Sequence, residues 1–271
     1  MQATTDNYAA YREGPQSYAL GRLVVPVARL EELEAALPRD VEFPWRVSAL
    51  MGGNVESDFA AIDAFHRLAA GRARVTSVEM RVQTPEQIEA AATKLPEEID
   101  AYFEIAVAED PSPLIAAIAS AKQRAKIRTG GVTADAFPPA AHIIRFLDLC
   151  ARANVPFKAT AGLHHPLYCH RPLTYAADAP QGWMFGFVNL FLVAAWIRLG
   201  LDPKAVAPLL EEQDPAVLSF APSEVRWRVY RLTGAQAEDI RHRFAASFGS
   251  CSFEEPIDDL KSLGWLSDPT W

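Results

Sequence analysis

Four short runs in the middle of the chain alternate apolar with polar or charged residues at a period of two. This pattern restricts the fold more than any other feature. In Val75–Val82, the residues Val78, Met80 and Val82 alternate with Glu79 and Arg81. In Ala101–Val107, Phe103, Ile105 and Val107 alternate with Tyr102, Glu104 and Ala106. Ile127 lies between Lys126 and Arg128 in Ala125–Thr129, and from Pro156 to Ala161 the residues Phe157, Ala159 and Ala161 flank Lys158 and Thr160. Side chains on a strand switch faces at each residue, so every such strand has one apolar and one polar face.

Each run is followed by a segment of helical character. Arg22–Val27 and Trp45–Met51 are two further strand-like runs, with LEELEAAL after the first and VESDFAAIDAFHRLAAG after the second. In the latter, Phe59, Ile62, Phe65 and Leu68 recur at helical spacing, and Gly71 closes the segment. Thr84-Pro85-Glu86 supplies a cap residue and a proline at the first helical position. DPSPLIAAIASAK and Pro139–Ala153 are the helices expected after the fourth and fifth strands.

Strands that alternate with helices pair in parallel. Parallel strands are normally buried on both faces and read as unbroken apolar runs; these do not. If helices cover the apolar faces, the charged faces need a shared enclosed space, which a barrel lumen provides. A doubly wound sheet would place helices on the charges as well, at roughly several kcal/mol for each unpaired one. The expected fold is therefore α/β, a single TIM-barrel-like (β/α) barrel over 1–271. The length of 271 residues suits the ~250 typical of that fold.

After Gly162 the pattern loosens, so the last quarter is expected to be irregular. HHPLYCHRPLTYAADAPQG reads as a long loop, and such loops are more often functional than idle. Trp183–Leu199 reads as a buried helix. AVLSF (216–220), VRWRVYRL (225–232) and SFGSCSF (247–253) read as further strands, flanked by the helical AQAEDIRHRFAASF and EEPIDDLKSLGWL.

A net charge of −8 disfavours a partner with a phosphate backbone, so no nucleic acid is expected. The N-terminus shows no basic region leading into an apolar one, and the longest apolar stretch is interrupted by Asn189 and too short to cross a bilayer. Three widely spaced cysteines with no CxxC motif argue for a reducing compartment. The chain is thus expected to be cytoplasmic, with no membrane partner. Self-association as a homo-oligomer is compatible with the sequence.

The expected lumen carries Glu79, Arg81, Glu104, Lys126, Arg128 and Lys158 on four consecutive strands. One reading is a salt-bridge network that fixes register. The other rests on the excess of positive charge among the six, which a small anionic metabolite would balance. Lys158 stands out, because burial and a neighbouring Lys126 would both favour the neutral amine, a nucleophile toward carbonyls. It serves equally as an electrostatic partner for a carboxylate. Glu104 completes the acid–base set.

Arg128, Thr129, Gly130 and Gly131 end a strand at a turn before a helix, where backbone N–H groups suit a phosphate or carboxylate. Glycine also serves any tight turn. His164 and His165 follow the Lys158 strand, and His164 is placed to act as a general acid or base. The loop's imidazoles and Cys169 are metal-ligand types, yet HxH and HExxH spacings are missing, so no metal is expected. No cofactor is expected either. His66, His142 and His242 read as packing or surface residues. Ser250-Cys251-Ser252 would add a hydroxyl only if SFGSCSF is a barrel strand.

FKATAG (157–162) resembles the Lys-x-Thr/Ser-x-Gly strand of class I aldolase barrels of the deoxyribose-phosphate aldolase type. That resemblance implies a Schiff-base lysine at Lys158 and a helper lysine at Lys126, with Gly130 and Gly131 near a substrate phosphate. In that family the glycine-associated lysine follows the Schiff-base strand, whereas KIRTGG precedes it here. The family's catalytic aspartate has no match, and the resemblance covers about 40 residues. The expected function is an aldolase-like lyase acting on a small phosphorylated or carboxylated carbonyl compound. Glu79, Arg81, Arg128, Thr129, Gly130, Gly131, Thr160 and His165 would bind it, and Lys158, Lys126, Glu104 and His164 would carry the chemistry. The alternatives are a cofactor-free isomerase or transferase on a phosphorylated sugar, and a non-catalytic anion-binding barrel.

Overall fold

A computed structural model describes residues 1–267 and resolves them into two compact units, Met1–Glu104 and the segment from Ile105 onward. In the first unit the strands β1 (Leu23–Pro26), β2 (Trp45–Leu50), β3 (Ala73–Arg81) and β4 (Asp100–Glu104) lie side by side in chain order, all parallel. Helices α2 (Leu30–Ala36), α3 (Val55–Ala69) and α4 (Pro85–Ala92) connect them. Two of these connections carry their own start signal. The Asn54 side chain accepts from the Ser57 N–H at the head of α3, and Thr84 accepts from the Gln87 N–H at the head of α4. Val47, Ala49, Val75, Val78, Ala101 and Phe103 from the strands are buried, as are Leu33, Ile62, Phe65 and Ile88 from the helices. Ahead of these, α1 (Gln2–Glu13) lays Tyr8 against Trp45 at 4.9 Å between ring centroids. The first strand-like run gave no hint of this helix.

The second unit contains three more parallel strands, β5 (Arg124–Arg128), β6 (Phe157–Thr160) and β12 (Ala245–Gly249), with β6 between the other two. Helices α5 (Ser112–Ser120), α6 (Ala140–Ala153) and α7 (Phe187–Arg198) follow the alternation. The core forms around Phe157, whose ring meets Phe146 of α6 at 5.8 Å and Phe244 at 5.2 Å, both edge-on. Phe248 of β12 stacks on Phe187 at 4.6 Å. Such aromatic pairs add about 0.5 to 1.5 kcal/mol each beyond the area they bury.

The parallel α/β alternation expected from the sequence is present. Among the described residues the parallel strands number seven, one short of the eight in a closed barrel. The last quarter departs from a barrel in specific ways. Within the expected long loop, β7 (Cys169–Pro172) and β8 (Gln181–Met184) form an antiparallel hairpin. The predicted helix over Trp183–Leu199 therefore begins only at Phe187, because Trp183 lies on β8, half-exposed and stacked on Tyr168 at 4.8 Å.

VRWRVYRL is not one strand. It breaks at Arg228, which has a left-handed φ of 55°, and folds back as β10 (Glu224–Trp227) and β11 (Tyr230–Thr233). With β9 (Leu218–Ala221), these make a separate three-stranded antiparallel sheet. The short helix α8 (Pro203–Val206) precedes that sheet, and α9 (Gly234–Arg243) follows it behind a Thr233/Gln236 capping box. The predicted helix over 235–248 stops at Arg243, and its last residues instead join β6 as β12. The chain then enters α10 (Glu254–Ser262). No helix among the described residues is long and apolar enough to cross a membrane.

Candidate functional site

In the second unit the register pairs Lys126 of β5 with Lys158 of β6, and Arg128 with Thr160. On the other side, Ser247 and Gly249 of β12 pair with Lys158 and Thr160. The pleat places these six residues on one face, while Ala125, Ile127, Phe157, Ala159 and Phe248 occupy the opposite face. Both lysines are only 6% exposed, with the side chains of neighbouring strands about 5 Å apart. Gly249 makes room for them: a Cβ there would lie 3.1 Å from the Thr160 methyl group and 3.9 Å from Lys158 Cε. Arg128 reaches solvent at the end of its strand.

Thr129 is buried, and its polar atoms tie two strand ends together. Its N–H donates to the Thr160 carbonyl at 2.8 Å and its hydroxyl to the Ala161 carbonyl at 2.8 Å. Gly130 and Gly131 have a packing reason to be glycine. A Cβ on Gly130 would meet the Phe137 ring at 2.3 Å, and one on Gly131 would meet the Ala136 methyl at 2.6 Å. After β6, Ala161 and Gly162 both adopt left-handed conformations, with φ of 67° and 74°. For Ala161 this is an uncommon backbone state, of the kind that collects near functional segments.

That turn leads into His164 and His165, and the two carboxylates that receive them sit one turn apart on α10. His164 Nδ1 lies 3.1 Å from Glu255 Oε2, and His165 Nδ1 lies 2.6 Å from Asp259 Oδ2. Tyr175, from the segment between β7 and β8, donates its hydroxyl to the same Glu255 oxygen at 2.8 Å. Cys251, in the turn between β12 and α10, is exposed. Its sulfur stands 3.8 Å from His164 Nδ1, 4.0 Å from Nε2 and 3.6 Å from the Tyr175 hydroxyl.

The contact with His164 draws the Cys251 thiol below its ordinary range, against the effect of partial burial, with Tyr175 assisting. The imidazole moves the other way. Cys251 foremost, and Glu255 with it, raise His164 despite its burial. Burial, then the hydrogen bond to Glu255, push the Tyr175 phenol up. Burial pushes the Cys169 thiol up to about 11, and Cys150 is fully buried in α6.

Glu79, Arg81 and Glu104 belong to the first unit. Glu79 is buried and accepts from the Ser48 hydroxyl at 2.8 Å, which in turn accepts from Ser77 at 2.9 Å. Arg81 is exposed at the end of β3, in register with Glu104 of β4. The structure thus gathers Lys126, Lys158, Arg128 and Thr160 on one face, and His164 and His165 on one pair of carboxylates. Sequence reasoning gave Cys251 only a marginal place and missed Tyr175, Glu255 and Asp259. The available signal was the i,i+4 carboxylate pair in EEPIDD, which needs a cationic or imidazole partner if it is not solvated. Among the described residues, no group of three or more His, Cys, Asp or Glu side chains is arranged to hold a metal ion. Comparison with protein-family models, with curated proteins and with solved structures found no match.

Proposed function

We propose that the chain is an aldolase-like lyase of (β/α)-barrel type, acting in the cytoplasm on a small phosphorylated or carboxylated carbonyl compound through the amine of Lys158. The observation that carries this reading is the Lys126–Lys158 pair, two nearly buried amines in register on adjacent parallel strands. Burial and a neighbouring cation both favour the uncharged amine, the form that adds to a carbonyl. The amine attacks the carbonyl carbon and water leaves. The resulting protonated imine then accepts the electron pair of the bond between the α- and β-carbons. As that bond breaks, an enamine forms, the β-hydroxyl gives up its proton to a neighbouring base, and the β-carbon leaves as a carbonyl product. Proton transfer and hydrolysis of the imine restore Lys158.

Lys126, and Arg128 at the strand end, supply positive charge for the substrate's anionic group, and the Thr160 hydroxyl lies on the same face. His164, held by Glu255, is the proton donor. Arg128 and Thr160 close the C-terminal ends of β5 and β6, and His164 follows β6, at the strand ends where barrel enzymes place their chemistry.

Imine formation exchanges the carbonyl oxygen with water, which gives a test without knowledge of the full reaction. A panel of small carboxylated and phosphorylated aldehydes and ketones, labelled with ¹⁸O at the carbonyl, is incubated with the protein. At least one should lose its label faster than in buffer, and Lys158→Met should abolish the acceleration. Saturable binding with no acceleration would instead favour a non-covalent anion site built on the same two lysines.

A further inference from the structure

We propose that Cys251, His164 and Glu255 form a second nucleophilic centre, in which the Cys251 thiolate takes the acyl group of small activated esters or thioesters. The proposal rests on the geometry around Cys251; it shares His164 and Glu255 with the lyase reading but uses a different nucleophile, the Cys251 sulfur rather than the Lys158 amine.

Two stretches distant in sequence, the turn after β6 and the run from β12 into α10, meet there. The turn after β12 presents the exposed sulfur, the turn after β6 brings an imidazole to 3.8 Å from it, and the first turn of α10 holds that imidazole with a carboxylate at 3.1 Å. Nucleophile, proton carrier and carboxylate are thus gathered at one place: Glu255 engages the ring at Nδ1, and Nε2, 4.0 Å from the sulfur, is left to exchange the proton, the set of groups that activates a cysteine for acyl transfer. The sulfur is nearly equidistant from both ring nitrogens, each of which carries a proton in the imidazolium, so the delocalised charge of the ring faces it. Tyr175 completes the surroundings, 3.6 Å from the sulfur and fixed by its own bond to Glu255. His165 is engaged separately by Asp259 and leaves His164 as the proton carrier. The titrating groups that face the sulfur are therefore His164 from the β6 turn and Tyr175 from the hairpin, with Glu255 behind both. The downward displacement of the thiol and the upward displacement of the imidazole agree with a thiolate–imidazolium pair.

The chemistry balances without any added oxidant or cofactor. The thiolate attacks the acyl carbon and a carbon–sulfur bond forms. As the tetrahedral intermediate collapses, the bond to the leaving group breaks and that group takes the proton of the His164 imidazolium. Neutral His164 then removes a proton from water, whose oxygen attacks the thioester carbon. The carbon–sulfur bond breaks, and the carboxylic acid leaves together with restored thiolate and imidazolium.

The other two cysteines are internal controls, since Cys150 is buried and Cys169 is held as a thiol. Iodoacetamide alkylation, followed peptide by peptide from pH 5 to 9.5, should show Cys251 reacting with an inflection below the ~8.5 of a free thiol. His164→Gln should move that inflection up, with a loss of about tenfold in rate at pH 7 for each unit moved. Glu255→Gln should move it in the same direction by less, and tests the pair without removing the ring. With p-nitrophenyl acetate, the full-length protein should release a burst of nitrophenolate and carry an acetyl group on the Cys251 peptide. Both should vanish in Cys251→Ala and diminish in His164→Gln. A Cys251 inflection at ordinary thiol values that His164→Gln leaves in place would overturn the proposal, as would acetylation confined to lysines. Oxygen exchange reads Lys158 and alkylation reads Cys251, so either result can fail without the other.

Discussion

Replacing Asn189 by leucine should destabilise the second unit by about 2 to 3 kcal/mol. Asn189 is fully buried in the first turn of α7, inside an otherwise apolar run. Its amide donates to the Leu209 carbonyl at 2.7 Å and the Glu212 carbonyl at 3.1 Å, and its oxygen accepts from the Tyr168 N–H at 3.0 Å. Leucine has the same number and branching of side-chain heavy atoms, so it can take up the site, and three hydrogen bonds are lost, each of about 1 kcal/mol net. The freed backbone groups are not wholly orphaned. The Tyr168 N–H still reaches the Glu212 carbonyl at 3.3 Å, and the Glu212 N–H still reaches that of Leu209 at 3.1 Å. This removes the larger penalty of about 1 to 3 kcal/mol for each unsatisfied buried group and keeps the sum near the value of the three bonds. Urea unfolding followed by tryptophan fluorescence reads the change, and a slope of about 2 kcal/mol/M puts the midpoint about 1 to 1.5 M lower. A fall of less than about 0.3 M would refute the reasoning, because the amide would then not be holding the segment after His165 against α7.

Phe157→Ala should cost about 3 to 5 kcal/mol in the same unfolding measurement, since the ring is fully buried and meets Phe146, Phe191 and Phe244. Gly130→Ala should cost about 1 to 3 kcal/mol, because the new methyl group would overlap the Phe137 ring and force it to move. If thermal melts of this variant match those of the parent, the close approach of Phe137 is not a constraint.

The period-two alternation was legible because strand geometry translates it directly into faces. Lys126, Lys158 and Glu79 are buried in the positions it implied, with Ile127, Ala159 and Val78 on the opposite faces. Arg81 and Arg128 carry the same pattern but sit at strand ends, where the last charged residue of a run reaches water. The failures share a different cause. The hairpin of Cys169–Pro172 and Gln181–Met184 has weak local propensity, and its stacking of Trp183 on Tyr168 joins residues fifteen positions apart that no local pattern pairs. Arg228 breaks an apparent strand through a left-handed backbone that few non-glycine residues adopt, with no glycine to announce it. Cys251 and His164 are 87 positions apart, and no local pattern brings them together. Only the return of β12 beside β6 does so, and that strand lay partly hidden in a helix-like segment.

The central claim is that Lys158 is a carbonyl-reactive amine. The full-length protein, mixed with the carbonyl compound that shows the fastest oxygen exchange, is reduced with sodium borohydride and digested, and the modified peptide is located by mass spectrometry. The account predicts a secondary amine on the peptide containing Lys158, formed before any other lysine reacts and missing from Lys158→Met. A protein that exchanges no carbonyl oxygen and carries no adduct, or an adduct spread over surface lysines with Lys158 untouched, would contradict it.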